Sequence, residues 1–207
     1  MTAIVHPSAD VADSALLGER TRVWNRAQIR EGAQLGDDCI VGKDAYIDAG
    51  VRIGHRVKIQ NAAQLFHGLT VEDGVFIGPA VIFTNDKLPR AISPEGELKT
   101  DNDWEVGKTL ACEGASFGAG AIILPSVRVG RFALVGAGAL VTRNVRDFAL
   151  VFGSPARFVH WVCRCARSLT GVGASLRCAH CKREYRLEGD ALLEGPLEPG
   201  ADPEGAS

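Results

Sequence analysis

Aromatic residues are scarce in this chain, at 6%, and methionine occurs once. Any core must therefore be built from Val, Ile, Leu and Ala. No apolar run approaches the roughly 20 residues of a membrane span. Neither sign of charge dominates: the formal net charge is −2 and the pI is near 6.2. That leaves no global basic field for nucleic acid or an anionic membrane. The start, "MTAIVHPSAD", has no charged-then-apolar signal pattern. The expectation is a cytoplasmic protein whose six cysteines are reduced thiols or metal ligands, not disulfides. Glycine, by contrast, is abundant at 24 residues, which suits many tight turns.

The hydrophobic pattern has neither the 3.6 period of a helix nor the period of 2 of a half-buried strand. It has a period of six. The positions Val5, Val11, Leu17, Val23, Ile29, Leu35, Val41, Ile47, Ile53, Ile59, Leu65, Val71, Ile77 and Phe83 are all apolar. A small residue mostly follows four positions on, as in Ala9, Ala15, Thr21, Ala27, Ala33, Cys39 and Ala45. The beat stops after Phe83 and resumes at Phe117, Ile123, Val129, Val135 and Val141. Such a beat predicts short strands joined by turns, each sending one large side chain inward. Three strands make a triangular coil of 18 residues, and stacked coils bury a continuous core. The fold expected is all-β, a parallel β-helix over residues 1–157.

This pattern resembles the hexapeptide-repeat acyltransferases. The resemblance implies a left-handed winding, which the general right-handed crossover rule would not give. It also implies a homotrimer with acyl-donor sites between subunits. "QNAAQLFHGLTVEDGVFIGPAVIFTND", then "PRA", "GAGALVTRNV" and "GSPAR" resemble the subgroup that N-acetylates nucleotide-linked 3-amino sugars. In that subgroup the acceptor lies near the asparagine of "FTN", here Asn85. The expected reaction is direct attack of the sugar amine on acetyl-CoA, with dTDP- or UDP-linked substrates and a role in polysaccharide assembly.

The break in the beat marks an inserted loop, expected over about 86–113. Loops this long in compact domains are commonly functional. His67 lies two residues after Leu65, and Asn85 two after Phe83, so both fall at one corner, one coil apart. A titratable ring, a carboxamide and a loop root coincide there, and His67 and Asn85 are the expected catalytic pair. Gln60, Asp86, Lys87, Arg90 and Trp104 are the expected sugar-nucleotide contacts. Trp104 suits stacking on a base, and the two cations suit phosphate. Gly136, Ala137, Thr142, Arg143 and Arg157 are the expected acetyl-CoA contacts, from the small residues and cations of the last coils.

After Arg157 the composition changes. Cys163 and Cys165 form C-x-C, and Cys178 and Cys181 form C-x-x-C. Two close pairs of thiols across a short hairpin suit a structural Zn²⁺, in a zinc-ribbon-like segment over 158–187. Residues 188–207 are acidic and rich in Gly and Pro, and a disordered tail is expected. Two other readings are open: a non-enzymatic β-helical scaffold subunit and a hexapeptide O-acetyltransferase for another small acceptor. A carbonic-anhydrase-type zinc enzyme on this fold needs three clustered histidines. His6, His55 and His67 offer no close pair at ligand spacing.

Overall fold

The computed structural model describes residues 2–195. The chain winds into a left-handed parallel β-helix of about eight coils. Each coil lays one short strand on each of three faces. The first face begins with Ile4–Val5, the second with Asp10–Val11 and the third with Leu16–Leu17. Each strand pairs with its counterpart a coil away: Leu65 opposes Ile47 on one side and Phe83 on the other.

The reason is visible in the two-residue strands. The second residue points in and the first points out, so Lys58 is exposed while Ile59 is fully buried. Ile29, Val41, Ile47, Leu65, Ile77, Phe117, Ile123 and Val135 line the same interior. The small residue four positions on fills the corner, and Ala27, Ala33, Cys39 and Ala45 are all buried. Thr21 takes this slot without penalty. Its hydroxyl donates to the Gly36 carbonyl at 2.8 Å and accepts the Cys39 N–H at 3.1 Å. Glycines stack where backbones pass close at a corner. A Cβ on Gly36 would lie 2.8 Å from the carbonyl carbon of Gly54.

Side chains also satisfy the corner N–H groups. Asp37 Oδ1 accepts from Glu19, His55 Nδ1 from Asp37, and Asp73 Oδ1 from His55. His55 is thus a rung of this ladder, and His6 bonds Ser8 locally.

The loop leaves after Ile82–Phe83 and the coil resumes at Thr109–Ala111, which pairs with Leu69–Val71. The return is therefore earlier than the expected limit of 113. Ala111 holds the inward position opposite Val71, and an alanine there is too small to extend a beat of large aliphatics. Within the loop, an antiparallel bridge joins Ile92 to Leu98 around a turn closed by Gly96 N–H and the Ser93 carbonyl.

The parallel stack ends at Ala149–Gly153, which pairs antiparallel with Ala156–Trp161. The expected boundary at 157/158 thus falls inside a strand of the first face. Beyond it, Thr170–Val172, Ser175–Arg177, Glu184–Glu188 and Ala191–Glu194 form a separate antiparallel sheet. Ala191–Glu194 lies in the segment expected to be disordered. It is ordered because Leu192 buries beside Phe148, Cys163, Cys178 and Tyr185. Residues 196–207 of that segment lie outside the described residues. Among the described residues no helix is long and apolar enough to cross a membrane.

The inward and outward assignment is testable by urea unfolding. Ile59→Ala should cost about 2–5 kcal/mol. Its outward neighbour Lys58→Ala should stay within about 0.5 kcal/mol. Equal losses at the two positions would contradict the assignment.

Candidate active site

The corner between the second and third faces collects most of the chemistry. Leu65, Phe83, Ile123 and Val141 pair in sequence down the second face. The residues two positions later therefore form one column: His67, Asn85, Pro125 and Arg143. Successive members are about one strand spacing apart, roughly 4.8 Å.

The coil below fixes the imidazole of His67. Its Nδ1 lies 2.6 Å from the Ala49 carbonyl, and its backbone N–H donates to Asp48 Oδ2 at 3.1 Å. A carbonyl only accepts, so in the neutral ring Nδ1 carries the proton and Nε2 keeps a lone pair. Nε2 has no partner among the described residues. Asp48 is held in turn by the Tyr46 hydroxyl at 2.8 Å and the Ala49 N–H at 2.8 Å. Burial raises the Asp48 pKa, but these donors, the His67 N–H and Arg30 together hold it below the usual carboxylate range. Sequence reasoning missed Asp48. The signal was its place one residue after inward Ile47, one coil below the corner that carries His67.

His67 lines a cavity of about 500 Å³ with Gly50, Arg52, Gly68, Leu69, Thr70, Lys108, Thr109 and Leu110. Arg52 and Lys108 are two cations that sequence reasoning also missed. A second cleft of about 340 Å³ lies under the loop. Asp86, Lys87, Lys99, Asp103, Trp104, Gly107 and Ser126 help to line it. The two spaces are neighbours along the chain, since Gly107 lines one and Lys108 the other. Gly68 permits this approach: its φ is +91°, and a Cβ there would lie 2.7 Å from the Gly107 carbonyl oxygen.

Asn85 stands at the loop root. Its carbonyl accepts the Gly107 N–H at 2.9 Å, and its carboxamide has no hydrogen-bond partner among the described residues. It lines neither space. Of the expected acceptor contacts, Asp86, Lys87 and Trp104 meet in the loop cleft. Arg90 does not line it, and its guanidinium donates to the Pro89 carbonyl instead.

A third cleft of about 280 Å³ lies further along the same corner. Thr142, Arg143, Asn144, Arg146, Arg157 and Phe158 are among its walls. Three of the expected donor contacts, Thr142, Arg143 and Arg157, meet there. Gln60, Gly136 and Ala137 do not. Ile59, Ile77, Phe117 and Val135 pair down the first face, so Gln60 and Gly136 stack at the corner between the first and second faces. A Cβ on Gly136 would collide with the Phe152 ring.

The sulfurs of Cys163, Cys165, Cys178 and Cys181 all lie within 4.8 Å of one another. Tetrahedral Zn–S bonds of about 2.3 Å place sulfurs about 3.8 Å apart, so the set fits one zinc ion. The Tyr185 hydroxyl is 3.2 Å from Cys163 Sγ. Burial pushes the Cys163 thiol up to about 12. At Cys178 burial also acts upward, yet the N–H groups of Cys181 and His180 pull the thiol down to about 7.

Comparisons with known proteins bear on the family and the fold. A family model described as the hexapeptide repeat of succinyl-transferase matches residues 32–62 and 113–143. The chain is 36% identical over 186 residues to the dTDP-3-amino-3,6-dideoxy-alpha-D-galactopyranose 3-N-acetyltransferase of Aneurinibacillus thermoaerophilus. That match covers 89% of this chain and 91% of the relative. It is 30% identical over 129 residues to a galactoside O-acetyltransferase of Lactococcus lactis, covering 59% of this chain and 60% of that one. In fold it is similar to a GDP-perosamine N-acetyltransferase from Caulobacter crescentus, solved with CoA and GDP-perosamine. The TM-score is 0.52 and the identity 24%, covering 77% of this chain and 57% of that one. The chain belongs to the hexapeptide-repeat acyltransferase family.

Proposed function

We propose that the protein is an acetyl-CoA-dependent N-acetyltransferase that acetylates the amino group of a nucleotide-linked 3-amino sugar. The near full-length likeness to a dTDP-3-amino-sugar N-acetyltransferase supports the substrate class. The observation that carries the mechanism is the 2.6 Å contact of His67 Nδ1 with the Ala49 carbonyl, from which the tautomer follows.

The amine attacks the thioester carbonyl as a neutral group. His67 Nε2 accepts the proton the nitrogen sheds as the C–N bond forms. The tetrahedral oxyanion collapses, the C–S bond breaks and the thiolate leaves, taking the proton back from His67 to become the CoA thiol. Asn85 orients the sugar through its free carboxamide. Trp104 stacks on the base, while Lys87, with Asp86 beside it, meets the diphosphate end of the acceptor. Arg90 serves the same anionic group from outside the cleft.

Thr142, Arg143 and Arg157 hold the acyl donor in the third cleft. Gln60, Gly136 and Ala137 sit on another edge of the same chain. In a homotrimer a neighbouring subunit would bring them to the donor and acceptor sites. The cysteine set would hold a structural Zn²⁺, whose binding energy folds a segment with little core of its own. The reading includes a cytoplasmic location and a place in polysaccharide assembly. A second reading, O-acetylation of a sugar hydroxyl, is favoured by the likeness to a galactoside O-acetyltransferase.

Three outcomes test the proposal. In a thiol-release assay His67→Ala should lower kcat about 100-fold or more with a small change in acceptor KM. Near-wild-type kcat would exclude His67 as the base. Trp104→Ala should raise the nucleotide-sugar KM about tenfold and leave the acetyl-CoA KM unchanged. Atomic emission should find about one zinc per chain, lost in Cys178→Ser. A metal-free wild-type protein would contradict the zinc assignment.

A further inference from the structure

One side chain links the third cleft to the cysteine ribbon. Arg146 lines that cleft beside Arg157 and Phe158. Its guanidinium carbon sits 4.7 Å from the ring centroid of Phe158 and 4.7 Å from that of Trp161. The two rings are 4.9 Å apart and tilted by 60°. From this seat, Arg146 Nη1 donates to the Asp190 carbonyl at 3.2 Å and to its carboxylate at 3.1 Å. Asp190 belongs to the turn between Glu184–Glu188 and Ala191–Glu194, the last two strands of the ribbon sheet.

Two further routes run between the same regions. One is covalent. The strand Ala156–Trp161 carries Arg157 and Phe158 along the cleft wall, and Cys163 follows two residues after Trp161. Trp161 packs against both the β-helix core and the cluster around the cysteines. The other route runs through aromatic rings. Phe148, next to Ala149 of the cleft wall, meets Tyr185 edge-on at 5.3 Å, and the Tyr185 hydroxyl reaches Cys163 Sγ.

The cleft wall needs such support. Ala156–Trp161 is the last strand of its sheet and pairs on one side only, with a register irregularity between Leu150 and Val151 in its partner. Arg157, Phe158 and Val159 are exposed. A strand paired on one side is among the first parts of a sheet to open locally. Without an outside anchor, the position of Arg157 and Phe158 would be poorly defined.

Reading the third cleft as the acyl-donor site, we infer that the four-cysteine ribbon is a positioning element for the acyl donor. Arg146 is the residue through which a folded ribbon holds the Arg157–Phe158 wall in place. The ribbon is thereby more than a stabilising appendage: its folding sets the affinity for CoA and leaves the acetyl-transfer step itself untouched.

The test uses the full chain with CoA and acetyl-CoA. Asp190 is almost fully exposed, so Asp190→Ala will fold. It should weaken CoA binding by calorimetry about threefold, the scale of an exposed ion pair. Arg146→Met, which also loses both ring contacts, should weaken it about tenfold. The double variant should be no worse than Arg146→Met, because both changes cut one link. The acetyl-CoA KM should follow these affinities, while Asp190→Ala leaves kcat and the amino-sugar KM within about twofold. Cys178→Ser should speed amide hydrogen exchange in residues 156–161 and weaken CoA at least as much as Asp190→Ala. If Asp190→Ala and Cys178→Ser bind CoA like the wild type while Arg146→Met does not, Arg146 touches the donor directly and the inference falls. CoA that slows no exchange within residues 141–158 of the wild type would remove the donor assignment, and this inference with it.

Discussion

A side chain that points inward every sixth residue must meet the one that comes 18 residues later, because the strands are parallel and in register. Leu65 lies between Ile47 and Phe83 for this reason. With so few aromatics, the core is a column of mainly Val, Ile and Leu around Phe83 and Phe117, closed at the corners mostly by Ala or Val. The same register that buries these residues stacks the corners. Residues at a given offset from the inward positions of one face share an edge.

The candidate active site is a consequence of that arithmetic. His67, Asn85 and Arg143 each follow an inward residue by two positions on the second face, so the fold places them on one edge. The loop leaves from this edge and its cleft adjoins the His67 cavity, while the third cleft opens further along. The coil below His67 presents a carbonyl, and that one contact selects which ring nitrogen is free to take a proton. The core pattern thus aligns the proposed acceptor, base and donor sites without a dedicated scaffold.

The repeat, the parallel coils and the His67–Asn85 register were legible because they follow from spacing, whereas the left-handed winding was legible only through the family resemblance. The return of the loop was not, since Ala111 fills an inward slot with a side chain too small to mark it. Gln60 and Gly136 follow inward residues of the first face by one position, so their separate edge was in principle readable from the same spacing. Asp48 escaped notice because its role depends on hydrogen bonds from Tyr46, Ala49 and His67, and no periodicity reports these. The two cysteine pairs were legible as a ligand set. The last ribbon strand was hidden by its acidic, glycine-rich surroundings, although Leu192 is buried and the strand pairs along Glu184–Glu188.

The central claim is that this edge transfers an acetyl group to a sugar nitrogen. The most direct measurement combines acetyl-CoA with a panel of dTDP- and UDP-linked 3-amino sugars and their 3-hydroxy counterparts. It follows thiol release and locates the new acetyl group by NMR. The account predicts turnover with at least one 3-amino sugar, an amide at C3, and little or no reaction with the matching hydroxy sugar. Thiol release with no amino sugar, or equal rates for amine and hydroxyl, would contradict it.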